Sequence, residues 1–217
     1  MDDFVVEIKD LNLSYNKLIF EGLNVSFKSG FHTGIRGESG LGKTSLLNII
    51  MGIERGFTGE ISTFGLEYNF ENMSLIRSRI AYLPQTISSI SNLSVFETIL
   101  RPFEYKVNKK LKPNILAIKN MFERLELSYE LLEADFNNLS GGEKQKISFI
   151  IALLLKRDLM ILDEPTSAND QNSIDNIIKE IKLLGNKSII SVSHNDYFLS
   201  CCDVVYELKN KQIIEVK

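Results

Sequence analysis

The spacing of apolar residues changes several times along the chain, and each change predicts an element. Val6 and Ile8, then Leu23, Val25 and Phe27, alternate with polar neighbours. That two-residue period marks half-buried strands, so the first thirty or so residues should form an antiparallel β region. Phe31 to Arg36 reads as a short strand. Lys43 to Met51 reads as a helix, with Leu46, Leu47, Ile49 and Ile50 as its apolar positions and Gly52 as its stop. A further strand is expected around Ile80 to Leu83. From Thr86 to Asn138 the pattern turns helical. Ser94 and Glu97 form an S-x-x-E capping box opening a helix that Pro102 should end or kink, and Ile115, Ile118, Met121, Phe122 and Leu125 recur at helical spacing.

The second half alternates strands and helices. Leu159-Met160-Ile161-Leu162 and Ser188 to Ser193 are short apolar runs, suited to strands of a parallel sheet covered on both faces. Between them, Asp170 is placed to cap a helix carrying Ile174, Ile177, Ile178, Ile181 and Leu184, ended by Gly185. Val204 to Val216 should form a hairpin turning near Lys209-Asn210. The alternation makes the chain α/β.

Composition narrows this picture. A chain of 217 residues allows one large domain, or a core with an inserted subdomain. Apolar content of 44% and charged content of 24% are ordinary for a globular protein. The longest apolar stretches are too short to span a bilayer, and no secretory signal opens the chain. Net charge is −3 with no dense basic patch, which argues against nucleic acid as the main partner. Lys106 to Lys112 is the nearest thing to a basic run and reads as a solvated loop. Cys201 and Cys202 are adjacent, without metal spacing, and read as packing residues in a reducing compartment. His32 suggests no chemistry.

Three motifs carry chemistry. Gly37-Glu38-Ser39-Gly40-Leu41-Gly42-Lys43-Thr44 fits G-x-x-x-x-G-K-[ST], between an expected strand and an expected helix. Its glycines let backbone N–H groups wrap phosphate oxygens, Lys43 supplies a point charge, and the Thr44 hydroxyl can ligate magnesium. The run ending in Asp163-Glu164 delivers two carboxylates to the carboxyl edge of a sheet, where open α/β folds bind ligands. Asp163 is placed to hold magnesium with Thr44. Glu164, one residue on and expected on the opposite side of the strand, could polarise a water. In Leu139-Ser140-Gly141-Gly142-Glu143, Ser140 starts a helix and Glu143 can cap it. The two glycines leave the backbone bare at a helix N-terminus, a setting suited to an anion.

With these motifs in this order, the chain resembles the nucleotide-binding subunit of an ABC transporter over essentially its whole length. The resemblance implies a P-loop NTPase fold with a RecA-like core, an N-terminal antiparallel β subdomain and an inserted helical subdomain. Residues 1–85 and 139–217 would form the core and 86–138 the helical part. It implies ATP and Mg2+. The triphosphate would lie on Gly37, Glu38, Ser39, Gly40, Leu41, Gly42, Lys43, Thr44 and Ser45, with magnesium held by Thr44, Gln85 and Asp163. Tyr15 resembles the aromatic that stacks on adenine, although by its position it could equally pack on the core. Gln85 resembles the glutamine linking magnesium to the membrane partner, and His194 the switch histidine that reaches the γ-phosphate. Catalysis would fall to Glu164, His194, Lys43 and Gln85. Ser140, Gly141, Gly142 and Asp170 would close the nucleotide of a second subunit. Ser167-Ala168-Asn169-Asp170 resembles the D-loop that crosses between subunits, with Asn169 where leucine is usual. After the signature, lysines and apolar residues stand where arginines are common, and this helix should be buried more completely than usual.

The implied activity is ATP hydrolysis powering transport through ATP-driven dimerisation. A second nucleotide-binding subunit, in a homodimer, and a separate transmembrane permease are the expected partners, with no nucleic acid. The chain would then be cytoplasmic and peripheral at the inner face of the membrane. Arg79 to Thr86 and Arg101-Pro102-Phe103 look similar to metal or iron exporter ATPases, with lipoprotein-release and macrolide-export ATPases as rivals. A non-transport ABC ATPase of the cell-division type is the alternative.

Overall fold

The alternating residues at the start of the chain pair as their period predicts. A computed structural model describes residues 3–85 and 92–217, so Thr86, at the head of the expected helical insert, lies outside the described residues. In chain order the strands are β1 (Phe4–Ser14), β2 (Leu18–Lys28), β3 (His32–Arg36), β4 (Phe57–Thr63), β5 (Leu66–Glu67), β6 (Ile80–Leu83), β7 (Leu159–Asp163), β8 (Ser188–Val192), β9 (Val204–Lys209) and β10 (Gln212–Glu215). The α-helices are α1 (Lys43–Ile50), α2 (Phe70–Ser78), α3 (Val95–Leu100), α4 (Ile115–Arg124), α5 (Gly141–Leu154), α6 (Gln171–Leu183) and α7 (Asp196–Ser200). One sheet is antiparallel, in the order β2-β1-β4-β5, with Val6 opposite Phe27 and Ile8 opposite Val25. The other runs β10-β9-β3-β8-β7-β6 and is parallel from β9 to β6.

The parallel sheet separates two cores, and its alternation decides which residue enters which. From β7, Leu159 and Ile161 join the antiparallel sheet and α1, with Leu46, Leu47, Ile49 and Ile50 of that helix all buried. Met160 and Leu162 face the other way, onto Phe149 and Ile150 of α5, Ile177 of α6, and Phe103, Ile118 and Phe122 of the segment between β6 and α5. Both cores are continuous, so the strand end that carries the carboxylates is clamped from above and below.

Local signals appear where the sequence places them. Both capping boxes form: the Glu97 N–H donates to Ser94 Oγ at 3.2 Å and the Glu143 N–H to Ser140 Oγ at 3.3 Å, each glutamate reaching back to the serine N–H. Asp170 caps α6 by accepting from the Ser173 N–H at 2.8 Å. α3 stops at Leu100, before Pro102. The final hairpin turns on Asn210 and Lys211, both left-handed at φ 50° and 63°, as a two-residue turn requires. α5 buries seven of its residues, from Gln145 to Leu154. Ile115 departs from its expected place: it is the first residue of α4 and is exposed.

His32 starts β3 and is buried, edge-on to Phe198, with Nε2 2.8 Å from Ser191 Oγ and 3.4 Å from Cys202 Sγ. Cys202 is buried beside it and Cys201 is partly covered; both thiols are free. Burial pushes the His32 pKa down from 6.5 to about 4. The folded protein therefore holds this proton less tightly than the unfolded chain. The resulting stability is fully present above pH 6.5 and is lost as pH falls through 6.5 towards 4. At one pKa unit per 1.4 kcal/mol, it amounts to roughly 2–4 kcal/mol. Thermal melts of His32→Gln are expected to lose much less midpoint than the parent between pH 7 and 4.5. Parallel losses in the two proteins would assign the titration to other groups.

Candidate functional site

β3 leads into the glycine loop at the carboxyl edge of the parallel sheet. Gly37, Gly40 and Gly42 adopt φ of 152°, 78° and 100°, which side chains resist. Gly42 also has no room: a Cβ there would lie 2.4 Å from Ile19 Cγ2. The turn so formed starts α1 at Lys43. Lys43 is buried, and its Nζ donates to the carbonyls of Gly37 at 2.7 Å and Glu38 at 2.9 Å. Burial lowers its pKa, while the carboxylates of Glu164 and Asp163 oppose that shift.

β7 emerges opposite this loop. Asp163 is almost fully buried and accepts the Thr44 hydroxyl on Oδ2 at 3.0 Å. Burial raises its pKa against the pull of Thr44 and Lys43. Glu164 follows with φ 53°, a left-handed conformation costing an ordinary residue about 1–2 kcal/mol. Strand alternation alone would send Glu164 to the face opposite Asp163. The left-handed turn just past the strand instead brings both carboxylates into one pocket with Thr44. Three bonds hold that turn. The Glu164 N–H donates to the Val192 carbonyl at 2.9 Å, and the Glu164 carbonyl accepts from Gln145 Nε2 at 2.7 Å and from the Ser167 N–H at 3.3 Å.

His194 lies just beyond β8. Its backbone N–H donates to Glu164 Oε2 at 3.3 Å, and its Nε2 stands 3.5 Å from Glu164 Oε1 and 3.3 Å from Lys43 Nζ. Burial raises the Glu164 pKa, with the His194 N–H and Lys43 acting against it and the Asp163 charge adding to it. A half-desolvated carboxylate of this kind attracts a proton more strongly than a solvated one, which suits the polarisation of a water.

The same pocket, of about 330 Å³, is lined further by Tyr15, Ser39, Gly40, Ser45 and Gln85. Tyr15 lies one residue past β1, half exposed, and its hydroxyl donates to Glu54, so packing in the core is excluded. Gln85 is exposed, two residues beyond β6. Gly37, Glu38 and Leu41 belong to the loop without lining the pocket. Ser140, Gly141, Gly142 and Asp170 lie outside it, so the structure does not bring them to the glycine loop of their own chain. Sequence reasoning missed Gln145, which it read only as part of a lysine-flanked departure. No local signal marked it, since Lys144 and Lys146 flank it in sequence and its partners lie in residues 164–169.

The residues present fit a magnesium ion. Thr44, Asp163 and Gln85 are all oxygen donors, the choice of a hard cation, and Asp163 Oδ1 and Glu164 Oε1 are buried without a hydrogen-bond partner. Among the described residues no cluster of three or more His, Cys, Asp or Glu side chains could hold a metal by protein ligands alone. That matches an ion that uses one or two carboxylates and takes its remaining ligands from phosphate and water.

A glycine loop between strand and helix, closed by two carboxylates at the end of β7, which β8 separates from β3 in the parallel sheet, defines a P-loop nucleoside triphosphatase. The family model described as ABC transporter matches residues 20–167, and the chain belongs to that family. Among its relatives, the zinc import ATP-binding protein ZnuC of Wolbachia sp. subsp. Brugia malayi is 30% identical over 212 residues, covering 94% of this chain and 80% of that protein. The macrolide export ATP-binding/permease protein MacB of Campylobacter jejuni is 32% identical over 203 residues, 90% of this chain and 31% of the longer relative. The fold is that of the ATP-binding cassette MJ0796, solved as a dimer bound to ADP and Pi, with a TM-score of 0.84, 23% identity and 98% coverage of both chains. The protein is thus an ATP-binding, ATP-hydrolysing subunit of the ABC transporter class. Among the described residues no helix is long and apolar enough to cross a membrane.

Proposed function

We propose that two copies pair head to tail around ATP, each lending Ser140, Gly141, Gly142 and Asp170 to the nucleotide on the other's glycine loop. The observation that carries this is a separation. Lys43, Thr44, Gln85, Asp163, Glu164 and His194 converge on one open pocket, while the bare helix start at Ser140 lies outside it in the same chain. An anion-binding terminus of that kind serves a ligand brought by another molecule.

In this reading Tyr15 stacks on the base and Lys43 holds the β- and γ-phosphates. Thr44, Asp163 and Gln85 hold magnesium, which when bound neutralises charge on the phosphates. Glu164 orients and polarises the water, and His194 reaches the γ-phosphate while steadying the Glu164 carboxylate. Loss of the γ-phosphate contacts would release the pair. The segment 86–138 would act as a helical subdomain that, with Gln85, carries nucleotide state to a separate membrane-spanning partner, placing the protein at the inner face of the membrane. A seat for that partner is supported by a groove of about 820 Å³ beside α2, lined by Phe57, Phe70, Met73 and Arg77, where Phe70 is 97% exposed. Metal-ion export is the cargo class favoured by the resemblance of Arg79 to Thr86 and Arg101 to Phe103. The names of the relatives cover both import and export. A cell-division-type regulator would use the same cycle without cargo, and co-purification with a multi-span protein separates the two.

The pairing has a direct test. Lys43→Ala spoils the glycine loop and Ser140→Arg blocks the helix start. Neither variant is expected to dimerise alone in ATP and Mg2+. Mixed, they complete one sandwich in trans, and light scattering should show dimer only in the mixture. If the mixture stays monomeric, the trans arrangement is wrong.

A further inference from the structure

We infer that Gln145 is a positioning residue that couples the start of α5 to the backbone of Glu164. The inference rests on the reading of Glu164 as the group that polarises water. Gln145 lies in the second turn of α5 and is 2% exposed. Its amide is fully engaged. Nε2 donates to the Glu164 carbonyl at 2.7 Å and to Ser167 Oγ at 3.3 Å. Oε1 accepts from the Ala168 N–H at 3.3 Å and from Asn169 Nδ2. Two donors and two acceptor sites are all that an amide side chain has.

The consequence follows from what Glu164 is. A left-handed residue that is not glycine persists only where its surroundings hold it. Here the N–H is held by β8 through Val192, and the carbonyl by the Ser167 N–H at 3.3 Å and, on the shorter bond of 2.7 Å, by α5 through Gln145, which also grips Ser167 Oγ. The direction of the Glu164 side chain therefore depends in part on where α5 stands. The first turn of the same helix is close-packed on the loop that Gln145 grips, since a Cβ on Gly142 would lie 2.7 Å from the Ala168 carbonyl oxygen. Residues 140–145 and 164–169 form one unit. Whatever docks on Ser140, Gly141 and Gly142 bears on the Glu164 of that same subunit. The unusual Asn169 gains a purpose here: its amide donates to Gln145 and to the Pro165 carbonyl, bonds that a leucine could not make.

Steady-state kinetics with thermal melts test this. Gln145→Leu removes every bond of the amide, and its kcat is expected to fall about ten- to a hundred-fold, the cost of sub-ångström to ångström misplacement, with KM within about two-fold. Asn169→Leu removes only the loop tie and should lower kcat by roughly two- to five-fold. Because both act through one amide, the double variant should be no slower than Gln145→Leu alone. In a Glu164→Gln background, Gln145→Leu should add nothing. Additive losses, or a kcat that merely tracks the folded fraction, would reduce Gln145 to a structural residue. Should Gln145→Leu not fold, Asn169→Leu carries the test at a partly exposed loop position, and an unchanged kcat there overturns the coupling. A slow Glu164→Gln with a fast Gln145→Leu defeats this inference alone, whereas a fast Glu164→Gln defeats the reading beneath it.

Discussion

Glu164→Gln is expected to bind MgATP as the parent does and to turn it over about a hundred- to a thousand-fold more slowly, the usual loss when a positioned base is removed. The substitution is close to isosteric. A glutamine oxygen can still accept the His194 N–H, now 3.3 Å from Glu164 Oε2, and the amide nitrogen can face the imidazole now 3.5 Å from Oε1. What goes is proton affinity. The burial that raises the Glu164 pKa has no counterpart in an amide, which does not take a proton at neutral pH. With hydrolysis slow and the γ-phosphate retained, the paired state should persist. Size exclusion in ATP and Mg2+ is expected to show a stable dimer for the variant and a transient one for the parent, and ADP should return both to monomer. Hydrolysis at the parental rate would take Glu164 out of the mechanism.

The parts of this site that could be read from sequence are those whose meaning is local. The glycine loop is a run of eight residues, and both capping boxes are i to i+3 relations. The final hairpin was legible from the apolar runs beside it, although it turns on Asn210 and Lys211, one residue beyond the expected Lys209-Asn210. The segment from Gly52 to Ile80 gave no such signal, and β4, β5 and α2 went unforeseen. In β4 only Ile61 and Thr63 are buried, behind Gly59, and in α2 only Ile76 is, while Phe70 faces outward. No period of two or of 3.6 stands out from so few inward positions. These elements are made by tertiary pairing, β4 by the ladder with β1 and α2 by its own Arg77, which donates to the carbonyls of Met51 and Gly52.

Within the site, residue types were legible and their orientation was not. Asp163-Glu164 advertises two carboxylates, but only the backbone shows that a left-handed turn cancels the strand alternation and brings both into one pocket, Asp163 on Thr44 and Glu164 on His194. Tyr15 had two equal readings until its exposure removed one. His32 and Gln145 looked inert because their partners stand more than fifteen residues away in sequence: Ser191 and Cys202 for the histidine, residues 164–169 for the glutamine. A single chain carries no mark of such pairings, since neither periodicity nor a local motif encodes them.

Lys43→Ala should have its largest effect on binding. The Lys43 amine donates to two carbonyls of its own loop, and the carboxylates of Glu164 and Asp163 oppose the fall in its pKa that burial causes. Without it, an incoming triphosphate would meet two buried acids that have lost their lysine, an arrangement that repels polyanions. Affinity for ATP is expected to fall by at least about a hundred-fold, some 3 kcal/mol, as charge-assisted bonds to phosphate are lost. The fold should suffer less. Lys43 forms no part of either apolar core, and Gly37 is only partly buried and Glu38 exposed, so water can replace the lost donor at their carbonyls. Calorimetric titration with a non-hydrolysable ATP analogue, read beside a thermal melt, separates the two effects. Lys43→Arg should not rescue binding, because a planar fork does not fit a site where a compact point charge stands within 3.3 Å of the Gly37 and Glu38 carbonyls and His194 Nε2. Undiminished affinity in the alanine variant would mean that Gly37 to Thr44 is a tight βα turn and not the cradle of a phosphate.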